Sequence, residues 1–465
     1  MVDVVRLAAM LIVVAMHWCY LHLWVDDGLQ MELALSGPVV WALTWLLQAM
    51  PVFFFAGGFA NTLLVDRWRS SGEPLGSFLG LRARRLTSPV LPLLAVTLVV
   101  VVLGGLIAPA LAGTIGDQIA NPLWFLAVYL LCTALAPLAV WAFDRIGWWS
   151  AAVLLAGAFG VDVLRFWAGV DITWLNLALV WLFCHQLGIA YARRRAWTAS
   201  PGQLAGVVAA CVAVLVVMVV PGPWFPTNLG VRDAPVSNLA PTTAALAVLG
   251  IAQWAVLTGV GSHLLGREPS EPWKRRIGTG NALAMLIYLW HVPAMTVMIG
   301  IGLLAPDLLL PRSITGWAMV RPVWFVLSGA MLAVMVYGAM RWEVWFSRFG
   351  TTASTAQGVL GAALGTAAVY RLWQLGFGLS AEQLAWEAGL VLAVALLSGA
   401  RSARAGAGPA GDGSVGAPGR EVVGAHDGWA CSPEMPSTTS AWESARSTGV
   451  SRGWRSSSPC RSAST

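Results

Sequence analysis

Apolar positions along this chain gather into long runs instead of alternating with polar ones. Runs near the ~20 residues that cross a hydrocarbon layer fall at 4–24, 39–64, 88–108, 122–143, 149–167, 173–192, 204–220, 242–262, 281–301 and 320–341. Two weaker runs follow at 355–376 and 384–399, interrupted or flanked by Arg371, Glu382 and Glu387. The pattern predicts an all-α, polytopic transmembrane helical bundle with ten core spans and room for two further C-terminal spans. From about residue 400 the sequence turns to Gly, Ser, Ala, Pro and Arg without periodicity, the composition of a disordered tail. The expected organisation is a membrane domain over 1–345, one or two added spans over 346–399, and a tail over 400–465. No internal repeat is evident.

Composition narrows the class. The chain is 58% hydrophobic and 11% charged, whereas a soluble domain carries about 25% charged residues. A soluble globular protein is excluded. The net charge of +6 is spread over loops, with no separate basic domain for nucleic acid. The six cysteines show neither CxxC nor Cys/His metal spacing, so no metal or bound cofactor is expected. With the N-terminus placed in the cytoplasm, the inner loops carry Arg67, Arg69, Arg82, Arg84, Arg85, Arg145, Arg193, Lys274, Arg275 and Arg348, and the outer loops carry Asp26, Asp27, Glu32 and Asp117. Positive charge stays on the cytoplasmic side, so both termini are expected there.

Ionisable groups inside apolar runs are costly and point to function. The first run contains DVVRLAAMLIVVAMHW, with Asp3, Arg6 and His17. Asp3 and Arg6 are neighbours at i,i+3. At 100° and 1.5 Å per residue, Arg6 and His17 lie within ~20° of one face and ~16 Å apart along the axis. One reading is a snorkelling pair at the interface plus a structural histidine; the other makes His17 a general base at the end of a polar stripe. LRARRLTSP places Arg82 and Arg85 just before the third run. Such a pair is ordinary inner-side charge or a phosphate cradle. IYLWHVP places Tyr288, Trp290 and His291 at mid-run beside Pro293. Trp124 reads as an interface anchor or a channel residue, Glu343 as a partner for Arg341, and His185 as structural.

In order and placement these motifs are more specific together than singly, and the chain resembles acyltransferase family 3, the integral-membrane O-acyltransferases of bacterial surface glycans, peptidoglycan and some antibiotics. The resemblance rests on Asp3, Arg6, Ala9 and His17; on PVFFFAGGF, where Gly57 stands for the usual Ser; on Arg82 and Arg85; on Leu123–Leu126; and on Tyr288–Pro293. Glu343 matches the last motif, with Trp345 where Pro is expected. The acidic residue common after LWFL is missing, with Tyr129 nearby. The resemblance implies an acyl-CoA-dependent enzyme of the bacterial plasma membrane. Acyl-CoA would be the co-substrate, and a glycan, glycolipid or glycosylated metabolite the acceptor. His17, Arg6 and Asp3 would be catalytic, Arg82 and Arg85 would bind the donor, and Trp124, Tyr288, Trp290, His291 and Glu343 would line the channel. A proton-coupled transporter or flippase for a lipid-linked sugar or secondary metabolite is the competing expectation.

Overall fold

VDVVRLAAMLIVVAMHWCY contains neither Gly nor Pro, and it forms one unbroken helix, α1 (Val2–Tyr20). The structure, a computed structural model, describes residues 1–193, 199–263, 269–352 and 354–399. The tail expected over 400–465 lies outside the described residues. Among the described residues, ten helical stretches are long and apolar enough to cross a membrane, and they follow the ten apolar runs in order.

The boundaries differ where proline or a turn intervenes. The first run ends as helix at Tyr20, and its remainder enters an antiparallel hairpin of β1 (Leu21–Asp26) and β2 (Gly28–Leu33), with Asp26 opposite Gly28. The second run breaks into α2 (Pro38–Leu46) and α3 (Met50–Ser71). The third is preceded by α4 (Leu75–Thr87), which carries the arginines, and α5 (Val90–Gly105) begins after Pro89. The fourth run is not one rod. The chain passes through α6 (Pro109–Ala120), α7 (Leu123–Ala134) and α8 (Ala136–Ile146), with Pro122 capping α7 and Pro137 in the first turn of α8. Proline has no N–H to donate and fits the first turn of a helix, not its middle. Then come α9 (Trp149–Ala168), α10 (Trp174–Arg193), α11 (Pro201–Val219), α12 (Ala244–His263), α13 (Glu271–Gly302), α14 (Pro306–Leu309) and α15 (Ile314–Phe346). The two weaker runs form α16 (Thr355–Leu375) and α17 (Ala381–Leu397). These two are not among the ten stretches long and apolar enough to cross. They pack on each other, and α16 also packs on α4 and α7, so they are part of the same bundle.

The core is built on α3 and α10, which meet backbone to backbone. A Cβ placed on Gly58 would fall 1.9 Å from the His185 carbonyl oxygen, and one on Gly188 would fall 2.0 Å from that of Phe55. Phe54 then stacks on Trp181 at 4.9 Å between ring centres. Buried Asn61 of α3 donates its amide to His185 Nε2 at 3.1 Å. At the far end Arg193 donates to Asp66 at 2.6 and 2.8 Å and to Asp144 at 2.7 Å. Burial pushes the Asp144 carboxyl up, but the Arg193 and Arg69 guanidiniums outweigh it and hold that carboxyl below its ordinary range. Helix α1 leans on α3 and α13.

Asp162 of α9 is fully buried and fixes a long connection. Its carboxylate accepts from Asn176 Nδ2 at 2.7 Å, from Trp224 Nε1 at 2.7 Å and from the Ala244 amide at 2.8 Å. Ala244 opens α12, so an anion sits where free amides and the helix dipole favour it. The 220–243 segment is thereby tied to α9 at one end and α12 at the other.

Gly188→Ala should abolish the folded bundle or destabilise it by at least about 3 kcal/mol, because the added methyl meets backbone that cannot yield. Gly160→Ala, with nothing within 4 Å of its would-be Cβ, should be neutral or stabilising by about 1 kcal/mol. Thermal unfolding of both in one detergent checks the contrast.

Candidate active site

His17 and His291 arrive from α1 and α13 and meet edge to face, with ring centres 4.8 Å apart. Trp18 locks the contact by donating Nε1 to the His291 carbonyl at 3.2 Å. His17 Nδ1 lies 2.8 Å from the Val13 carbonyl, one turn back. A carbonyl only accepts, so Nδ1 carries a hydrogen, and in the neutral ring Nε2 then holds the lone pair. His291 repeats the arrangement with the Tyr288 carbonyl. His291 Nε2 is buried without a hydrogen-bond partner among the described residues. Two imidazoles therefore sit together, each with its Nδ1–H anchored on a carbonyl of its own helix.

Beside His17 is a cavity of about 770 Å³. His17, Trp124 and Tyr288 border it. Helices α1, α2, α7 and α13 contribute walls, and Ser237, Ala240, Pro241 and Thr242 of the connection held by Asp162 contribute another. Tyr288 is held in place by donating its hydroxyl to the Pro122 carbonyl at 2.5 Å. Two carbonyls at the C-terminal end of α1 also find a donor. Arg321 of α15 donates to the carbonyls of Trp18 at 3.2 Å and Leu21 at 3.1 Å, and it lies over the rings of Trp317 at 4.6 Å and Trp324 at 5.0 Å.

The other end of α1 faces a different environment. Arg6 donates Nε to Asn281 Oδ1 at 2.8 Å, and the Asn281 amide donates to the Asp3 carbonyl at 2.9 Å. Asp3 is exposed and touches the site through its backbone. Arg82 lies within electrostatic reach of Arg85, Tyr129 and Arg67, and Arg85 within reach of Glu343 and Arg6. Arg82 makes no ion pair among the described residues. Arg84 is committed elsewhere: it donates to the carbonyls of Phe349 at 2.8 Å and Gly350 at 2.6 Å. Arg6, Arg82 and Arg85, far apart in sequence, thus form one basic patch.

The structure separates the other candidates. Trp290 is buried on α13 and does not border the cavity. Glu343 accepts from Ser88 Oγ at 3.4 and 3.5 Å near the basic patch and does not pair with Arg341. Residues two apart on a helix face different sides. His185 is a buried packing and hydrogen-bonding residue. Arg321 and Asp162 were missed by sequence reasoning, although a charge inside an apolar run was the signal for both. Among the described residues no group of three His, Cys, Asp or Glu is placed to hold a metal.

Gly57 and Tyr129, the two unusual positions in the second and fourth runs, are in contact. A Cβ on Gly57 would fall 2.8 Å from Tyr129 Cε2. Gly57→Ser alone should destabilise by about 1–3 kcal/mol through overpacking. Adding Tyr129→Ala should recover part of that loss, and a double-mutant cycle of unfolding free energies measures the coupling.

A family model described as an acyltransferase domain matches residues 2–340, which span α1 through most of α15 and include both histidines and the basic patch. Comparison with curated proteins and with solved structures gave no match. This helical chain, matched over most of its length by that model and with ten apolar stretches of crossing length among its described residues, belongs to acyltransferase family 3.

Proposed function

We propose that this protein is an integral-membrane O-acyltransferase that moves an acyl group from cytoplasmic acyl-CoA to a hydroxyl of a carbohydrate-containing acceptor. The observation that carries the reading is the placement of α1. One end of this helix joins the basic patch, and the other presents His17 to the cavity. Arginine forks suit phosphates, and Arg82 has no counter-ion among the described residues. The patch is therefore the donor end, where Arg82 and Arg85 hold the phosphates of acyl-CoA. Arg6 orients the donor, and Asp3 closes the end of the helix through its backbone. Arg-rich loops mark the cytoplasmic face, which supports a bacterial plasma-membrane protein with the basic patch toward the cytoplasm and the cavity toward the outer half.

At the cavity, His17 Nε2 takes the proton of the acceptor hydroxyl as its oxygen attacks the thioester carbonyl carbon. The carbon–sulfur bond breaks, the sulfur receives the proton, and the products are an ester and free CoA. His291 holds the His17 ring edge to face and is a positioning residue. Trp124 and Tyr288 shape the space where the acyl group and the hydroxyl meet.

Purified protein in nanodiscs should release CoA from acetyl-CoA or a longer acyl-CoA. His17→Ala should lower that turnover by about 10²–10⁴-fold, the range for loss of a general base, in protein whose thermal unfolding is unchanged. Retained turnover in folded His17→Ala defeats the assignment. Uptake driven by a pH gradient, with no consumption of acyl-CoA, would favour a transporter instead.

Arg82→Ala/Arg85→Ala should raise the apparent KM for acyl-CoA by at least about tenfold, as expected for lost charge-assisted hydrogen bonds of about 1.5–3 kcal/mol. The increase should shrink for a donor truncated to the acyl-pantetheine arm, which lacks the nucleotide phosphates. Initial rates against both donors check this.

A further inference from the structure

The cavity beside His17 has a wall from outside the family domain. The family match ends at residue 340, and α16 begins at Thr355. Tyr370, Trp373 and Gln374 of α16 nevertheless border the same cavity as His17. We propose that this helix supplies an acceptor subsite for a neutral sugar ring, in which Trp373 provides a stacking face and Gln374 and Tyr370 bind the hydroxyls. The inference rests on the acyl-transfer reading of His17.

Spacing puts the three side chains on one helix face, since residues three and four apart are neighbours. They are also held in place. Gln374 donates Nε2 to the Tyr370 hydroxyl at 3.1 Å and accepts from Arg371 Nη1 at 2.6 Å. The Tyr370 and Trp373 rings meet at 5.6 Å. Arg371 is paired in turn with Glu382 of α17. The amide is therefore oriented before a ligand arrives, which reduces the entropy lost on binding.

The end of α16 is anchored on α6. A Cβ on Gly116 would fall 2.1 Å from the Phe377 carbonyl oxygen, and Phe377 is fully buried. Gly376, at φ +73°, turns the chain where a side chain would collide with Asp117. From α17, Gln383 Nε2 donates to the Leu375 carbonyl at 2.8 Å. The same α6 and its cap bring Gln118 and Asn121 to the cavity.

The chemistry of the lining identifies the ligand class. Among the described residues no Asp, Glu, Lys or Arg borders the cavity, and His17 is the imidazole that does. The remaining polar side chains are amides, hydroxyls and indoles. Amides and hydroxyls both donate and accept, which matches a rim of sugar hydroxyls. A pyranose also presents an apolar C–H face that fits an indole. A carboxylate or phosphate would enter without a cation and stay unpaired, at a large desolvation cost.

The test is ligand-observed saturation-transfer NMR on the full-length protein in nanodiscs. The probes are the methyl glycosides of glucose, galactose, mannose and N-acetylglucosamine, with methyl glucuronide as the charged control. At least one neutral glycoside should bind the wild type, and the glucuronide should bind it more weakly. Trp373→Ala and the exposed-site variant Gln374→Ala should each raise the Kd for that glycoside about tenfold, equivalent to about 1.4 kcal/mol. No binding of any neutral glycoside, equal binding of the glucuronide, or a Kd unmoved by both variants overturns the subsite. If the Kd is unmoved in protein that releases CoA from acyl-CoA, acyl transfer stands without it. If both variants weaken binding in protein that consumes no acyl-CoA, the acyl-transfer reading fails while a sugar site remains.

Discussion

The arrangement depends on the approach of α3 and α10 through Gly58 and Gly188. In a bilayer the lipid tails are as apolar as the side chains, so helix association draws on close van der Waals packing more than on water exclusion. Where two helices touch along their backbones, that packing is dense and leaves little play. Phe54, Trp181, Asn61 and His185 occupy the space around this contact, with Asn61 and His185 bonded to each other. Helix α1 rests on α3, so the position of His17 is set relative to this pair and relative to α13. Loosening the glycine contact would move His17 without touching it.

Two charges inside apolar runs, Arg321 and Asp162, sit where a backbone terminus needs them. Arg321 answers the free carbonyls at the C-terminal end of α1, one of them on Trp18, the residue after His17. Asp162 answers the free amide that begins α12 and holds Trp224 of the cavity-forming connection. Each satisfies groups that hydrocarbon would leave without partners. Each also fixes a wall of the cavity: Arg321 fixes the end of α1, and Asp162 the 220–243 segment. Their role is to position the site, and neither borders the cavity.

The ten apolar runs made the helical class readable, because length and low charge suffice to mark a span. The polar stripe was readable for the same reason: α1 is unbroken, so ideal helix geometry carried Arg6 and His17 to the same face. Pairings between helices were not readable. Nothing in the spacing of His17 and His291 along the chain predicts rings in contact, since that distance is set by how α1 and α13 cross. The division of 122–143 was signalled by Pro122 and Pro137, but apolar continuity outweighed them. The hairpin after Tyr20 was hidden by the same continuity. Charges at run edges misled in the opposite direction. Glu343, two residues from Arg341 in sequence, reads as its partner, although the helix turns them apart.

The contact between Gly57 and Tyr129 joins two departures from the family pattern into one. With Gly at 57, the second helix leaves a notch, and the Tyr129 ring fills it. A serine there would collide with the ring, and a smaller residue at 129 would leave the notch empty. Each departure is therefore explained by the other. Tyr129 is also within electrostatic reach of Arg6 and Arg82, near where the family pattern has an acidic residue. A phenol there brings no carboxylate to the basic patch. On the proposed reading, that leaves more of the arginine charge for the phosphates of the donor.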